Sequence, residues 1–420
     1  MREMKDSGIS WVGEIPKEWS VNRAKYCFVN TKEIAGCRSD RYERLALTMN
    51  GVIKRSKDDS NGLQPEKFET YQILRPDELV FKLIDLQNVS TSRVGLSPYL
   101  GLVSPAYMIL KSNKRVLPAF AEKYFLMLWK NQIFNALGDA GVRSNLNSKD
   151  LLELSIPFPS LVEQQRIAEF LDRECGKIDG LKADIQAQID TLEQYKRSVI
   201  TEAVTHGLNP SAPMKDSGIN YISEHPIHWS LRRLKYILNE RNERSVTGTE
   251  ELLSVSLYKG VIPSTEMTNR TMQADSLIGY KRVHKGDLVF NKLNPGMARF
   301  GCADYDGITS PDFAVYIVNE NYCNAKFLQY LLKTDFYVEK IKSVSMGVGD
   351  GFTRLYSNQL YEFFVALPPR DEVSIIINYL DNKCAEIEQI IADKKSQIET
   401  LDGYKKSLIY EYVTGKKEVV

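Results

Sequence analysis

The second half of this 420-residue chain repeats the first. Residues 4–26, MKDSGISWVGEIPKEWSVNRAKY, return as residues 214–236, MKDSGINYISEHPIHWSLRRLKY, with 13 identities in 23 positions. LVF at 79–81 returns at 288–290, and SRVGLSPYLGLVSPAY (92–107) aligns without gaps on ARFGCADYDGITSPDF (298–313). Residues 171–205 then match 380–414 with 17 identities in 35. A period near 210 residues is far longer than a solenoid unit, so the repeat reads as duplication of a whole two-part module. The chain is therefore organised as residues 1–159, 160–209, 210–369 and 370–420, a larger part and a smaller part written twice.

The two parts differ in character. Residues 1–159 carry a net charge of +5 and residues 210–369 of +1, whereas 160–209 and 370–420 carry −3 and −2. The larger parts contain short β-rich runs, LVF and YMIL in the first and LVF and FAVYIV in the second, bounded by Gly, Pro and Asp. Each also has one apolar stretch that predicts a helix, 119–137 and 325–341, and each closes at a proline-rich break, SIPFPS and ALPPRD. These are mixed α/β domains.

The smaller parts predict one long helix each. Leu171, Ile178, Leu181, Ile185, Leu192, Tyr195 and Val199 step by threes, fours and sevens, and Leu380, Ile387, Ile390, Leu401, Tyr404 and Leu408 do likewise. That is the spacing of a coiled-coil seam. Residues 167–204 would reach roughly 57 Å as a helix. An apolar stripe this long needs a partner, and the other copy is the natural one. Antiparallel pairing is expected, because it separates the two larger domains and relates them by an approximate two-fold axis. The fold class predicted is α+β: two mixed domains separated by two long helices packed as an antiparallel coiled coil, with a pseudo-two-fold internal repeat. DNA-reading dimers use such symmetry for half-sites about one helical turn apart.

Charge and motifs exclude several function classes. With 55 basic and 54 acidic residues the chain is neither a polycation nor an acidic nucleic-acid mimic. No apolar leader and no run of eighteen apolar residues is present, and the six cysteines form no CxxC pair, so an intracellular, cytoplasmic protein with free thiols is expected. There is no GxxxxGK[ST] loop; GVGDGF (347–352) matches no dinucleotide fingerprint and LNPG (293–296) reads as a turn. His206, His225, His228 and His284 lack ligand spacing for zinc. Neither metal nor cofactor is expected. Cys175 and Cys384, and likewise Trp19 and Trp229, occupy equivalent places in the repeat and read as buried residues.

The opening SGISWVGEIPKEWSVNRAKY, the GLVSPAY block and the helix start PFPSLVEQQRIAEFLD together closely resemble the specificity subunit of type I restriction–modification enzymes. The resemblance covers essentially the whole chain, with the same duplication. It implies that the larger parts are target recognition domains, each reading one half of a split DNA sequence. The helices would be a spacer that fixes the gap and docks methyltransferase subunits, two in number. Restriction subunits would join through the complex, and this chain would direct methylation and restriction without catalysing either. One departure is visible: the second helix block opens PPRDEVSIIINYLD, without the EQQRIAEF wording of the first.

Phosphate contacts need Lys, Arg and backbone N–H groups, and base edges need Arg, Lys, Asn or Gln. The candidates in the first domain are Lys54, Arg55, Lys57, Lys82, Arg93, Arg143 and Asn145. In the second they are Lys259, Arg270, Lys292, Arg299 and Arg354. Arg93 and Arg299 occur in both copies and so suit a phosphate, or the fold itself, better than a base. Divergent positions such as Lys54 opposite Pro263 suit readout. Two other classes stay open from sequence: a fused methyltransferase or nuclease, which would bind S-adenosylmethionine or cut DNA alone, and an adaptor whose domains bind protein.

Overall fold

A computed structural model describes residues 2–59, 67–86, 91–137, 145–256, 260–267, 276–347 and 352–419. The chain forms two compact units, Met1–Gln186 with Lys395–Val420, and Ala187–Lys394.

In the first unit the central sheet runs in the order Phe28–Thr31, Met108–Ser112, Leu79–Phe81, Val94–Leu96, antiparallel throughout. Leu79 and Phe81 enter the large core, while Val80 enters a smaller one on the opposite face. Met108 and Leu110 alternate with Ile109 in the same way. Strand side chains alternate between faces, so a strand covered on both sides reads as an unbroken apolar run. That is why LVF contains no polar residue. The smaller core lies under a second sheet, ordered Gly51–Arg55, Arg44–Thr48, Gly101–Val103, Gln72–Leu74.

Helices cover the other face. The single helix expected over 119–137 is in fact two. Helix α1 (Pro118–Lys130) starts with proline in its first turn, where the missing N–H is harmless. Gln132 then takes a left-handed backbone, φ 61°, and α2 (Ile133–Leu137) restarts beyond it. Helix α3 (Ser148–Glu153) is capped by Asn147, whose side chain accepts from the Asp150 N–H. After Pro159 begins α4 (Leu161–Thr205).

The second unit rebuilds this plan. Its central sheet runs Leu238–Glu240, Phe313–Val318, Leu288–Asn291, Phe300–Cys302. Val289 and Val315 face the small core and Leu288, Phe290, Ala314 and Tyr316 the large one. The expected helix over 325–341 is again broken, into α5 (Ala325–Leu332) and α6 (Asp335–Val344), and α7 (Ser357–Tyr361) precedes α8 (Arg370–Val413). Glycine is required at one equivalent place in each unit. A Cβ on Gly101 would lie 2.7 Å from the Glu43 carbonyl oxygen, and one on Gly307 2.4 Å from that of Glu251.

The two long helices pair antiparallel within each unit. In the first, Lys405 bonds Asp179 at 2.6 Å, Lys182 bonds Asp402, and the Phe170 and Tyr412 rings meet at 4.4 Å. In the second, Lys196 bonds Glu388 and Lys394 bonds Gln188. Residue numbers fall on one helix as they rise on the other. The seam departs from the predicted one: Leu181, Tyr195, Ile390 and Tyr404 are exposed. The buried and half-buried positions are instead Leu171, Cys175, Ile178, Lys182, Ile185, Ile189, Leu192, Lys196 and Val199, stepping regularly by four and three. On α8 the same steps run Leu380, Cys384, Ile387, Ile391, Lys394, Ile398, Leu401, Lys405, Leu408. Apolar pattern alone skips the lysines. Their aliphatic stems cover the seam while their ammonium groups reach polar partners on the facing helix. Lys196 with Glu388 and Lys405 with Asp179 are the same pair written twice.

Candidate nucleic-acid interface

The predicted DNA-contact residues fall into distinct situations. Lys54 pairs with Glu43 at 2.6 Å and lies over the Tyr99 ring. Arg55 pairs with Asp59, and Lys57 donates to the Ser39 carbonyl at 2.9 Å and lies over the Phe68 ring. All three cations are thus engaged locally. The equivalent arginines differ sharply. Arg93 is fully buried and donates to the Asp85 carbonyl and to Thr91, so it holds a turn together. Arg299 is exposed. Arg143, Lys259 and Arg270 lie outside the described residues.

Asn145 borders a cleft of the first unit, and Lys292 and Arg354 lie at the equivalent place of the second unit. In the first unit a cleft of about 350 Å³ is lined by Asn30, Lys32, Gln72, Ile84, Tyr107, Asn145 and Asn147, among others. Gln72 is buried and its amide donates to the Ser104 and Tyr107 carbonyls, fixing one wall. Asn30, Lys32 and Asn145 are exposed on the rim. The main chain around this cleft is held by bonds that recur in the second unit. Leu146 donates to the Leu83 carbonyl and Leu355 to that of Lys292, each at 3.0 Å. Lys82 donates to the Arg93 carbonyl and Asn291 to that of Arg299, again at 3.0 Å. Asn145 and Arg354 therefore occupy the same position, as do Leu83 and Lys292, and Asn30 and Glu240.

The equivalent place in the second unit holds a buried ion pair where the first cleft has amides beside Lys32. Lys281, buried, pairs with Glu240 at 2.9 Å, and Ser357 donates to the same carboxylate at 2.6 Å. Burial works to raise the Glu240 carboxyl, but the hydrogen bonds from Ser357 and Lys281 and the nearby lysine charges outweigh it, and the net shift is downward. Burial lowers the Lys292 ammonium, helped by the charge of Lys281, and burial likewise lowers Lys82. The Arg354 guanidinium lies 5.7 Å from the Tyr356 ring centroid and 3.9 Å from Asp312. Its Nε is buried with no hydrogen-bond partner among the described residues.

Each of the two larger domains is fastened to a helix start. The Trp19 indole donates to Glu163 at 3.0 Å, and the Trp229 indole donates to Glu372 at 3.2 Å. Both indoles are buried, as their places in the repeat predicted. Glu372 thus keeps the role of Glu163 despite the altered wording around it. What changes is the next residue. Gln164 accepts from the Leu117 N–H at 2.7 Å and donates to the Pro159 carbonyl, whereas Val373 fills that place with an apolar side chain. Sequence reasoning found Asn145 and Arg354 separately but missed Asn30, Lys32, Gln72 and Glu240; aligning the two copies through 146 and 355 is the signal that joins them.

Residues 82–191 match the family model described as the type I restriction modification DNA specificity domain. The chain is 24% identical to the putative type I restriction enzyme MjaX specificity subunit of Methanocaldococcus jannaschii, over 97% of this chain and 96% of that one. It is 22% identical to the type I restriction enzyme EcoKI specificity subunit of Escherichia coli, over 58% of this chain and 55% of that one. Its fold matches a chain of a solved structure described as the basis of complex assembly and conformational transition of the type I R-M system, with a TM-score of 0.67, 14% identity, and 96% and 99% of the two chains covered. The chain thus carries a type I restriction modification DNA specificity domain over residues 82–191 and is similar along nearly its whole length to a type I restriction enzyme specificity subunit. No helix among the described residues is long and apolar enough to cross a membrane.

Proposed function

We propose that this chain is the non-catalytic, sequence-reading subunit of a type I restriction–modification assembly acting on double-stranded DNA. Residues 1–159 and 210–369 each read one half of a split target. Residues 160–209 and 370–420 set the gap between the halves and carry two methyltransferase subunits, through which restriction subunits join. Two weak readings joined by a rigid spacer reinforce each other, because the second engagement is nearly intramolecular. The observation that carries this reading is the repetition of one backbone framework around side chains of unlike chemistry, amides with Lys32 in the first unit and a Lys281–Glu240 ion pair in the second. One partner docking twice needs like surfaces. In keeping with that, two of the apolar positions left exposed on α4, Leu181 and Tyr195, match Ile390 and Tyr404 on α8.

Mapping methylated sites in cells that express this chain with its methyltransferase subunit tests the proposal. A split, asymmetric motif with fixed spacing is expected. Methylation at a continuous or palindromic motif would contradict it. Binding of the purified assembly should also weaken steeply with salt, since phosphate contacts release counterions.

A further inference from the structure

The matched framework carries the reading further. If the chain is a DNA specificity subunit, its two domains must differ where bases are touched and can agree where phosphates or the framework are held. The main-chain framework of the two places agrees bond for bond, at Leu146 and Leu355 and at Lys82 and Asn291. The side chains that project beside it do not. Asn145 stands where Arg354 stands, and Asn30 where Glu240 stands. The other cations suggested by sequence are poorer readers: Arg93 is consumed by the fold, and Lys54, Arg55 and Lys57 are held by local partners.

We propose that the first unit's cleft and the equivalent framework position of the second unit are the base-reading centres, with Asn145 the specificity-determining residue of the first half-site and Arg354 that of the second. An amide offers a donor and an acceptor side by side, matching the N6 and N7 positions of adenine in the major groove. A guanidinium offers two parallel donors, matching O6 and N7 of guanine. The first half-site therefore contains an adenine read by Asn145, and the second a guanine read by Arg354. Asn145 is exposed at the rim of an open polar cleft. The Arg354 guanidinium is restrained by Tyr356 and by Asp312, at 3.9 Å too distant to be a hydrogen-bond acceptor, and its buried Nε is unsatisfied among the described residues.

The test is methylation-site mapping of the assembly carrying Asn145→Ala, Arg354→Ala or Arg354→Lys, beside the unaltered chain. Thermal melting of each purified assembly confirms that it is folded. Asn145→Ala should relax discrimination at one adenine-containing base pair of one half-site by about 5- to 150-fold, leaving the other half and the gap unchanged. Arg354→Ala should do the same at one guanine-containing pair of the opposite half. Arg354→Lys separates base reading from phosphate binding: it keeps the charge but loses the two-pronged geometry, so it should relax the same base pair. Uniformly weaker methylation with every base preference intact, or an Arg354→Lys assembly indistinguishable from the unaltered one, would overturn the assignment while leaving the specificity-subunit reading in place. Absence of any split motif with the unaltered chain would instead overturn that reading, and this assignment with it.

Discussion

In the first unit the carbonyl of Leu83 accepts from Leu146, and in the second the carbonyl of Lys292 accepts from Leu355, both at 3.0 Å. Around the first bond lie amides and Lys32; around the second lie Glu240, Lys281 and Arg354. The comparison teaches that the fold is fixed by main-chain bonds and two-faced apolar strands, which leave the cleft residues free to differ. What stabilises a unit and what would distinguish its target are separate sets of residues.

Four experiments can break or sharpen that comparison. Trp19→Ala and Trp229→Ala remove equivalent buried indoles, and each should destabilise its unit by about 3–5 kcal/mol in urea unfolding. A loss confined to one of them would deny that the two units share a framework. Gly101→Ala and Gly307→Ala place a methyl group against equivalent carbonyl oxygens, and each should cost about 1–3 kcal/mol by the same measurement. Gln164→Val imitates the second unit in the first. It leaves the buried Leu117 N–H without its acceptor and should cost about 1–3 kcal/mol, whereas Val373→Ala should only lose packing.

The smallest effect concerns Lys333. It sits four residues after Gln329, where the first unit has Leu126 four residues after Glu122; Glu122 and Gln329 accept from the equivalent Leu96 and Cys302 N–H groups. Burial pushes the Lys333 ammonium down to about 8, assisted by the charge of Lys196. Its folded-state value lies below the ordinary 10.5, so between these values the unfolded chain binds the extra proton and stability rises with pH. Lys333→Leu should therefore stabilise the chain by about 1 kcal/mol at neutral pH. That advantage should fade as pH rises from about 8 towards 10.5, leaving a pH-independent packing gain, and calorimetric melting across that range reads it.

Much of the fold was legible in the sequence because its signals are local or repeated. LVF announced short strands, and the equivalent tryptophans announced core anchors. The long helices followed from their periodicity. Their seam was only partly legible, since Lys182, Lys196, Lys394 and Lys405 occupy seam positions that an apolar pattern cannot register. The breaks at Gln132 and at Lys333–Thr334 were hidden by continuous apolar composition on either side. The cleft was legible least. Asn30, Gln72 and Asn145 are brought together by strand pairing between segments remote in sequence, and exposed amides leave no periodic trace.

The central claim is that the paired helices act as a ruler for two independent readings. Removing one heptad from the middle of α4, and the equivalent seven residues from α8, keeps their antiparallel register while shortening both. Methylation-site mapping with that chain should show both half-sites unaltered and the gap between them changed. An unchanged gap, from an assembly that still methylates, would contradict the account.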